Sequence, residues 1–188
     1  MTPEESLTLL DLPAATTRRW VEQLCEPHRH YHTLDHVTAL LGGYDGGRPG
    51  FVAAIWLHDI VYDPKASDNE ARSAEQARAD LPSSAETDLA VRLILDTRRH
   101  IGGDPLTDAF NDLDLGIIGA GAAAYDRYAA QIRLEYAFVP EAAYRPARAS
   151  ILRAFDAGPI FKTAAFRPLE AQAHSNLKRE IERLEGNG

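Results

Sequence analysis

The sequence has 188 residues, a formal net charge of −8, and 45% hydrophobic and 26% charged residues, a balance typical of one ordinary globular domain. Its 20 lysine and arginine residues are scattered among 28 acidic ones, which argues against a surface for non-specific nucleic-acid binding. No apolar run approaches the roughly 20 residues that a membrane span needs, so neither nucleic acid nor a membrane is expected as a partner.

Two further features indicate the compartment. Cys25 is the single cysteine, so no internal disulfide can form, which fits a reducing cytoplasm. The opening residues Met-Thr-Pro-Glu-Glu-Ser are acidic and lack the basic and apolar regions of a signal peptide. A cytoplasmic location is therefore expected.

Apolar residues at helical spacing dominate the chain, and the alternation typical of strands is nearly absent. In the first half these stripes end at proline, glycine or capping residues, and they predict helices at about 3–10, 14–25, 31–41, 48–62, 68–79 and 86–97. Residues 51 to 57 are apolar without exception. The segment 48–62 is therefore expected to be buried on nearly all sides rather than on one face.

The second half follows the same pattern. Glycine and proline residues divide it into predicted helices at about 107–118, 122–139, 140–157 and 168–184. Helix starts and stops of this kind, without long linkers or repeats, indicate one packed unit. The sequence as a whole predicts a compact all-α domain of eight or nine helices.

Two stretches of the first half carry polar groups that helix packing does not require. His32 and His36 are four residues apart, so on a helix they would share one face, a common metal-binding geometry, although histidines on the surface or at a cap explain this spacing equally well. His58 and Asp59 stand at the end of the apolar segment, where an ionised carboxylate needs a partner. They could bind one ion lying against the helix between them, and a core histidine followed by a loop aspartate is the alternative.

Two more such stretches follow in the second half. Residues 96–100, Asp-Thr-Arg-Arg-His, are predicted to end a helix, where a cationic end is favourable in itself. Asp112 and Asp114 alternate with Leu113 and Leu115. Acids in so apolar a context need a cation or hydrogen-bond donors.

The order of these residues, with His36 first, then the adjacent His58-Asp59 pair and then a distant Asp112, resembles the HD superfamily of metal-dependent phosphohydrolases, which are all-helical. The longer strings resemble the branch described only as predicted HD-superfamily phosphohydrolases; they are Arg-His-Tyr-His-Thr-Leu-Asp-His-Val (29–37), Trp-Leu-His-Asp-Ile-Val-Tyr-Asp-Pro (56–64), Asp-Asn-Glu-Ala-Arg-Ser-Ala (68–74), Asp-Leu-Asp-Leu-Gly-Ile-Ile-Gly (112–119) and Ile-Arg-Leu-Glu-Tyr (132–136). The resemblance covers about residues 15–185, which implies a single HD-type domain spanning 1–188.

The resemblance implies a mononuclear metal site made of His36, His58, Asp59 and Asp112. Binuclear members of the superfamily have two further histidines before the last aspartate, where this chain has only His100. Two imidazoles and two carboxylates suit Mn²⁺, Fe²⁺, Co²⁺, Ni²⁺ or Zn²⁺, and Mg²⁺ is also compatible. A metal-activated water would then hydrolyse a phosphoester or phosphoanhydride of a small metabolite, for example a nucleotide.

The resemblance leaves the surrounding roles to residues near the motifs. Phosphate would be bound by positive or donor side chains, for which the candidates are Arg29, His32, Lys65, Arg98 and Arg99. A proton acceptor or shuttle is expected among Asp63, Glu70 and His100. For each of these residues a solvated surface position is an equally good explanation, and association into a homodimer is left open.

Two other functions fit the same residues. A few HD-fold proteins resemble di-iron oxygenases, and such a site needs about six protein ligands. In this chain His32 and His100 would have to complete the set formed by His36, His58, Asp59 and Asp112. A non-catalytic helical module that keeps the metal for stability or for ligand sensing is the other alternative.

Overall fold

The computed structural model describes residues 1–186, over which the chain is helical and contains no strand. The chain divides into two compact units, Met1–Asn111 and Asp112–Gly188. The first unit contains α1 (Pro3–Leu10), α2 (Ala14–Leu24), α3 (Leu34–Gly43), α4 (Pro49–Leu57), α5 (Asn69–Asp80), α6 (Ala85–Asp96) and most of α7 (Pro105–Asp114). The second contains the end of α7, α8 (Ala122–Glu135), α9 (Glu141–Asp156), α10 (Glu170–Glu185) and the 3₁₀ helices Leu115–Gly119 and Arg167–Leu169.

The all-α prediction is confirmed, whereas the predicted count of eight or nine helices is wrong, because each of the ten apolar segments forms an α-helix of its own among the described residues. Even the shortest segments are separate helices with their own caps. In α1, which has only eight residues, Thr2 and Glu5 form a capping box and Asp11 closes the other end in the left-handed conformation. None of the described helices is both long and apolar enough to cross a membrane.

Helix α4 lies at the centre of the first unit, as its apolar sequence predicts. Every residue from Gly50 to Leu57 is buried, and the helix packs against α1, α3, α5 and α6. The Trp56 indole N–H donates to the Ser6 hydroxyl at 2.9 Å, which satisfies a polar group inside the core. A Cβ at Gly50 would lie 2.3 Å from the Glu86 carbonyl oxygen, so the close approach of α4 to α6 requires glycine.

Among the helix boundaries that differ from the prediction, those at the start of α3 and at the end of α4 affect the polar motifs. Helix α3 begins at Leu34 because the Thr33 hydroxyl caps it, accepting the Asp35 N–H at 3.3 Å. Helix α4 ends at Leu57, with His58 as its C-cap. The expectation that His32 shares a helical face with His36 is therefore wrong, and Asp59 lies in the turn after α4 rather than on the helix.

The second unit is built around α10, which packs against α8, α9 and both 3₁₀ helices. The apolar cluster beneath it consists of Leu115, Ile118, Tyr125, Leu152, Ile160, Phe161, Ala173 and Leu177. The carboxylate of Glu180 is buried in this unit. Glu180 accepts the Tyr125 hydroxyl at 2.5 Å and the Arg148 Nε at 3.0 Å, so its charge is both paired and hydrogen-bonded.

Candidate metal centre

Three Lewis-basic atoms meet in the interior of the first unit. The Nε2 atoms of His36 and His58 are 3.1 Å apart, and Asp59 Oδ2 lies 2.8 Å from His58 Nε2 and 3.9 Å from His36 Nε2. The exposed fractions of the two imidazole side chains are 4% and 1%, and that of Asp59 is 22%. We call these three residues the His58 cluster.

The tautomer of His58 follows from its other ring nitrogen. His58 Nδ1 lies 3.1 Å from the carbonyl oxygen of Ile55, and a carbonyl can only accept a hydrogen bond, so Nδ1 carries a proton. In the neutral imidazole Nε2 then presents a lone pair towards His36 and Asp59. Metal-binding histidines are commonly oriented in this way, with the second nitrogen donating to a backbone carbonyl.

The elements around the cluster hold both rings in place. His36 is the third residue of α3, in the turn capped by Thr33. His58 closes α4, and the ring of Phe110 packs edge-on against it with centroids 5.9 Å apart. Both imidazoles are therefore fixed by packing as well as by hydrogen bonds.

The spacing of the donor atoms fits a single divalent ion. With metal–ligand bonds of about 2.1 Å, adjacent ligands lie about 3.0 Å apart around an octahedral ion and about 3.4 Å apart around a tetrahedral one. The separations of 3.1 Å and 2.8 Å are close to that of neighbouring octahedral positions, whereas the 3.9 Å between His36 Nε2 and Asp59 Oδ2 is longer. His36 and His58 thus each offer an imidazole nitrogen to a metal ion.

Arg29 lies beside the cluster in a role that the sequence did not indicate. Its side chain is fully buried, and its guanidinium donates to the carbonyl oxygens of His32, Asp59 and Ile60 at 3.0, 2.6 and 2.9 Å and to Glu26 Oε2 at 3.0 Å. Four of the five N–H groups of the guanidinium are thereby used. The predicted contact of Arg29 with phosphate stays a prediction.

Aromatic rings adjoin the His36 imidazole. The Tyr31 ring lies 4.8 Å from that of His36, and the His32 ring lies 4.4 Å from that of Tyr62. The rings of His28 and Tyr62 are parallel at 6.3 Å. Tyr31, His32 and Tyr62 are half-buried, and we call these three residues the aromatic wall.

The residues that follow the His58–Asp59 pair form a tight loop. Asp63 is exposed, and its carboxylate accepts the Lys65 N–H at 2.9 Å. The Asn69 amide bonds to both the N–H and the carbonyl of Asp63. Lys65 is exposed, while Glu70 is half-buried in the first turn of α5.

The predicted residues after α6 occupy a turn. Arg98 and Arg99 are exposed, and His100 adopts a left-handed backbone with φ of 49°, which is uncommon outside glycine. Asp96 accepts the Asn111 amide N–H at 2.6 Å. Asn111 is 1% exposed and its Oδ1 accepts no hydrogen bond.

Asp112 belongs to the second unit and is completely buried there. Its Oδ2 accepts the N–H groups of Lys162 and Thr163 at 3.1 and 2.6 Å and the Thr163 hydroxyl at 2.6 Å, while Oδ1 accepts the Lys162 N–H at 2.9 Å. The buried acid foreseen from the sequence thus has hydrogen-bond donors within its own unit. Its role as a metal ligand stays a prediction.

The second unit also contains a histidine–carboxylate cluster that the sequence analysis missed. His174 Nδ1 lies 2.5 Å from Asp156 Oδ1, and His174 Nε2 lies 3.1 Å from Glu170 Oε1. Glu170 in turn accepts the N–H groups of Ile160 and Phe161 at 2.7 and 2.9 Å. The spacing of Glu170 and His174 on one helix could have indicated half of this His174 cluster (Asp156, Glu170 and His174).

A comparison with protein-family models, with curated proteins and with solved structures found no match for this chain.

Proposed function

We propose that the protein is a metal-dependent phosphohydrolase of the HD type, in which His36, His58 and Asp59 hold a divalent ion. The observation that carries the proposal is the convergence of three Lewis-basic atoms within 3.9 Å in a largely buried place. Such atoms repel one another unless they share a cation. A metal ion or a proton can serve, and the hydrogen bond from His58 Nδ1 to a backbone carbonyl, which is common among metal-binding histidines, favours the metal.

A divalent ion bound there supplies Lewis acidity, which lowers the pKa of a water molecule and polarises a phosphoryl oxygen. The two nitrogens and one oxygen suit Mn²⁺, Fe²⁺, Co²⁺, Ni²⁺ or Zn²⁺ better than they suit Mg²⁺. The hydrogen bond from His58 Nδ1 to Ile55 keeps the Nε2 lone pair directed at the ion. The turn after α4 presents the Asp59 carboxylate at the edge of the buried site.

The proposal includes one further carboxylate. Asp112 is the residue that the resemblance implies for this place. Asp114, two residues further along, also offers a carboxylate oxygen as a ligand atom. The variants Asp112→Asn and Asp114→Asn distinguish them, since only loss of the true ligand weakens metal binding while the helical fold remains.

The substrate in this proposal is a small phosphorylated molecule that carries a flat ring, such as a nucleotide. Its support is the aromatic wall, whose Tyr31 ring lies 4.8 Å from the His36 ring. Aromatic faces stack favourably on flat ligands. Asp63, Glu70 and His100 stay the candidates for proton transfer, and Lys65, Arg98 and Arg99 for the phosphate.

The experiment is a release assay for phosphate and pyrophosphate over a panel of phosphorylated metabolites, with Mn²⁺, Co²⁺ or Mg²⁺ added. We expect turnover that requires the metal and that is lost in Asp59→Ala. Asp35→Ala is the matched control, because Asp35 is exposed on the helix that carries His36. Turnover that survives in Asp59→Ala, or that is absent with every metal and substrate, would contradict the proposal.

Metal content distinguishes the di-iron oxygenase from the proposed hydrolase, and phosphate release distinguishes the non-catalytic module from it. A di-iron oxygenase would bind close to two iron ions per chain and change its absorption under oxygen, whereas the proposed hydrolase binds one ion. A non-catalytic module would bind the metal and gain thermal stability from it while releasing no phosphate from any substrate.

A further inference from the structure

Arg29 joins the two stretches of chain that carry the ligands of the proposed metal site. Its NH1 atom donates both to the His32 carbonyl oxygen at 3.0 Å and to the Asp59 carbonyl oxygen at 2.6 Å. His32 immediately precedes the cap of α3, the helix that presents His36. A single nitrogen atom thus connects the start of that helix to the backbone of Asp59.

The same guanidinium fixes the direction of the turn after α4. NH2 donates to the Ile60 carbonyl oxygen at 2.9 Å, so the peptide groups that follow Asp59 and Ile60 are both held. Holding the carbonyl of a residue restrains its ψ angle, and the ψ angle influences where the side chain can point. The carbonyl group that Arg29 holds thus belongs to the residue whose Oδ2 lies 2.8 Å from His58 Nε2.

The position of Arg29 leaves little of it for a substrate. Its side chain has no exposed surface, and the Tyr62 ring lies 5.4 Å from the guanidinium carbon, which is a favourable cation–π distance. The negative charge of Glu26 balances the guanidinium at 3.0 Å. Four of its five N–H groups are already used in buried hydrogen bonds, so little of the guanidinium is left for a phosphate.

We infer that Arg29 is a positioning residue of the metal site, which sets metal affinity by holding the His32, Asp59 and Ile60 carbonyl groups without touching the ion. The inference rests on the proposed metal-binding function. Residues that orient metal ligands from outside typically contribute about 10- to 100-fold to metal affinity. The same range is expected here.

The test measures the affinity of the full chain for Mn²⁺ by calorimetry and the visible spectrum with Co²⁺, in Arg29→Lys and Arg29→Met. We expect about 10- to 100-fold weaker Mn²⁺ binding in the methionine variant and a smaller loss in the lysine variant, which keeps the charge but not the planar fork. The Co²⁺ spectrum should change in both variants because the ligand geometry changes.

The matched control is Arg148→Lys. Arg148 is also largely buried and bonds to a glutamate, Glu180, but in the second unit, so its loss should lower thermal stability without changing Mn²⁺ affinity. Affinity and spectrum unchanged in both Arg29 variants would overturn the inference while leaving the proposed function intact. If the methionine variant fails to fold, the lysine variant alone decides. Absence of Mn²⁺ and Co²⁺ binding by the unaltered protein would overturn the proposed function and the inference with it.

Discussion

Each unit contains a histidine in contact with a carboxylate, but the two imidazoles use their nitrogens differently. In the His58 cluster one nitrogen donates to a backbone carbonyl, and the other faces His36 Nε2 at 3.1 Å and Asp59 Oδ2 at 2.8 Å. In the His174 cluster each nitrogen faces a carboxylate oxygen, at 2.5 Å to Asp156 and 3.1 Å to Glu170.

This difference decides what each cluster can bind. Both nitrogens of His174 face carboxylate oxygens, so the whole ring is engaged by Asp156 and Glu170. In the His58 cluster only one nitrogen of His58 faces a carboxylate, and the same nitrogen also faces a second imidazole. Two imidazole nitrogens and a carboxylate oxygen that converge in this way form the kind of donor set that binds a divalent ion.

Closeness of histidine and acid is therefore weak evidence for a metal site. The informative observation is the partner of the second ring nitrogen, which is a backbone carbonyl for His58 and another carboxylate for His174. By that criterion the His58 cluster is the candidate ligand set, and the His174 ring bridges two carboxylates of the second unit. The two clusters should respond oppositely to substitution.

The largest effect is expected from His58→Gln. Removing the imidazole takes away one of the proposed ligands, and we expect Mn²⁺ affinity to fall by about a hundredfold or more. This exceeds the loss expected when a residue that only orients a ligand, such as Arg29, is replaced. Metal content per chain after dialysis against Mn²⁺, together with calorimetry, measures this. The circular dichroism of the variant should stay helical.

The matched control for this substitution is His174→Gln. It should leave Mn²⁺ content and affinity as they are in the unaltered protein, because both nitrogens of its ring are engaged by Asp156 and Glu170, outside the His58 cluster. Metal retained in His58→Gln, or lost in His174→Gln, would reverse the comparison between the two clusters.

A smaller effect on stability is expected from the same His174→Gln substitution. It removes the imidazole that lies between the carboxylates of Asp156 and Glu170 and contacts both. Hydrogen bonds to charged groups contribute about 1.5–3 kcal/mol each, and partial exposure of all three side chains reduces this, so we expect the free energy of unfolding to fall by about 2 kcal/mol. Urea unfolding at pH 7 measures it, and an unchanged midpoint would mean that the cluster has no structural role.

A pH-dependent effect is expected from Glu170→Gln. Partial burial raises the pKa of Glu170, but the N–H groups of Ile160 and Phe161 and the His174 ring outweigh it, so the pKa lies below its ordinary value of 4.5. Because the folded-state pKa is lowered, this stabilisation is present above pH 4.5 and is lost as the pH falls through the folded-state pKa.

The glutamine variant should therefore be less stable than the unaltered protein by about 1.5 kcal/mol at pH 7, since its amide oxygen replaces two charge-assisted bonds poorly. The difference between the two proteins should shrink as the pH falls below 4.5. Urea midpoints at a series of pH values measure both quantities. A difference that stays constant down to pH 3 would show that the charge of Glu170 is not what holds residues 160 and 161.

Much of the first unit could be predicted because its signal is local. The uninterrupted apolar run from Phe51 to Leu57 specifies a buried helix, and the His58-Asp59 pair at its end needed a partner, which His36 provides at 3.1 Å. These inferences need only helical geometry and the cost of burying polar groups.

The remainder depends on bonds between distant residues, which no local pattern specifies. The turn that presents Asp59 is held by Arg29, 30 positions earlier, so the sequence predicted helix where the chain turns. The His174 cluster joins α9 and α10 across 18 positions. Asp156 and His174 carry no motif that would pair them in advance.

The smallest effect is expected at Asp104, an acid of the first unit outside the His58 cluster. Its carboxylate caps α7 by accepting the N–H groups of Leu106 and Thr107 at 3.1 and 3.3 Å. The hydrogen bond from the Thr107 hydroxyl, and after it the hydrogen bond from Arg92, lowers the pKa of Asp104 to about 2. Asp104→Ala should cost about 1 kcal/mol, as the loss of a cap typically does, with Mn²⁺ affinity unchanged. Asp104→Asn, which can still accept the two N–H groups, should cost less.

The pH dependence separates this cap from Glu170. Because the folded-state pKa of Asp104 is so low, the stability penalty in Asp104→Ala should persist at pH 4.5 and fade only below the ordinary value of 3.8. The stability difference caused by Glu170→Gln fades at higher pH. Urea unfolding at pH 7, 4.5 and 3 measures this order, and a change in Mn²⁺ affinity would extend the metal site beyond the His58 cluster.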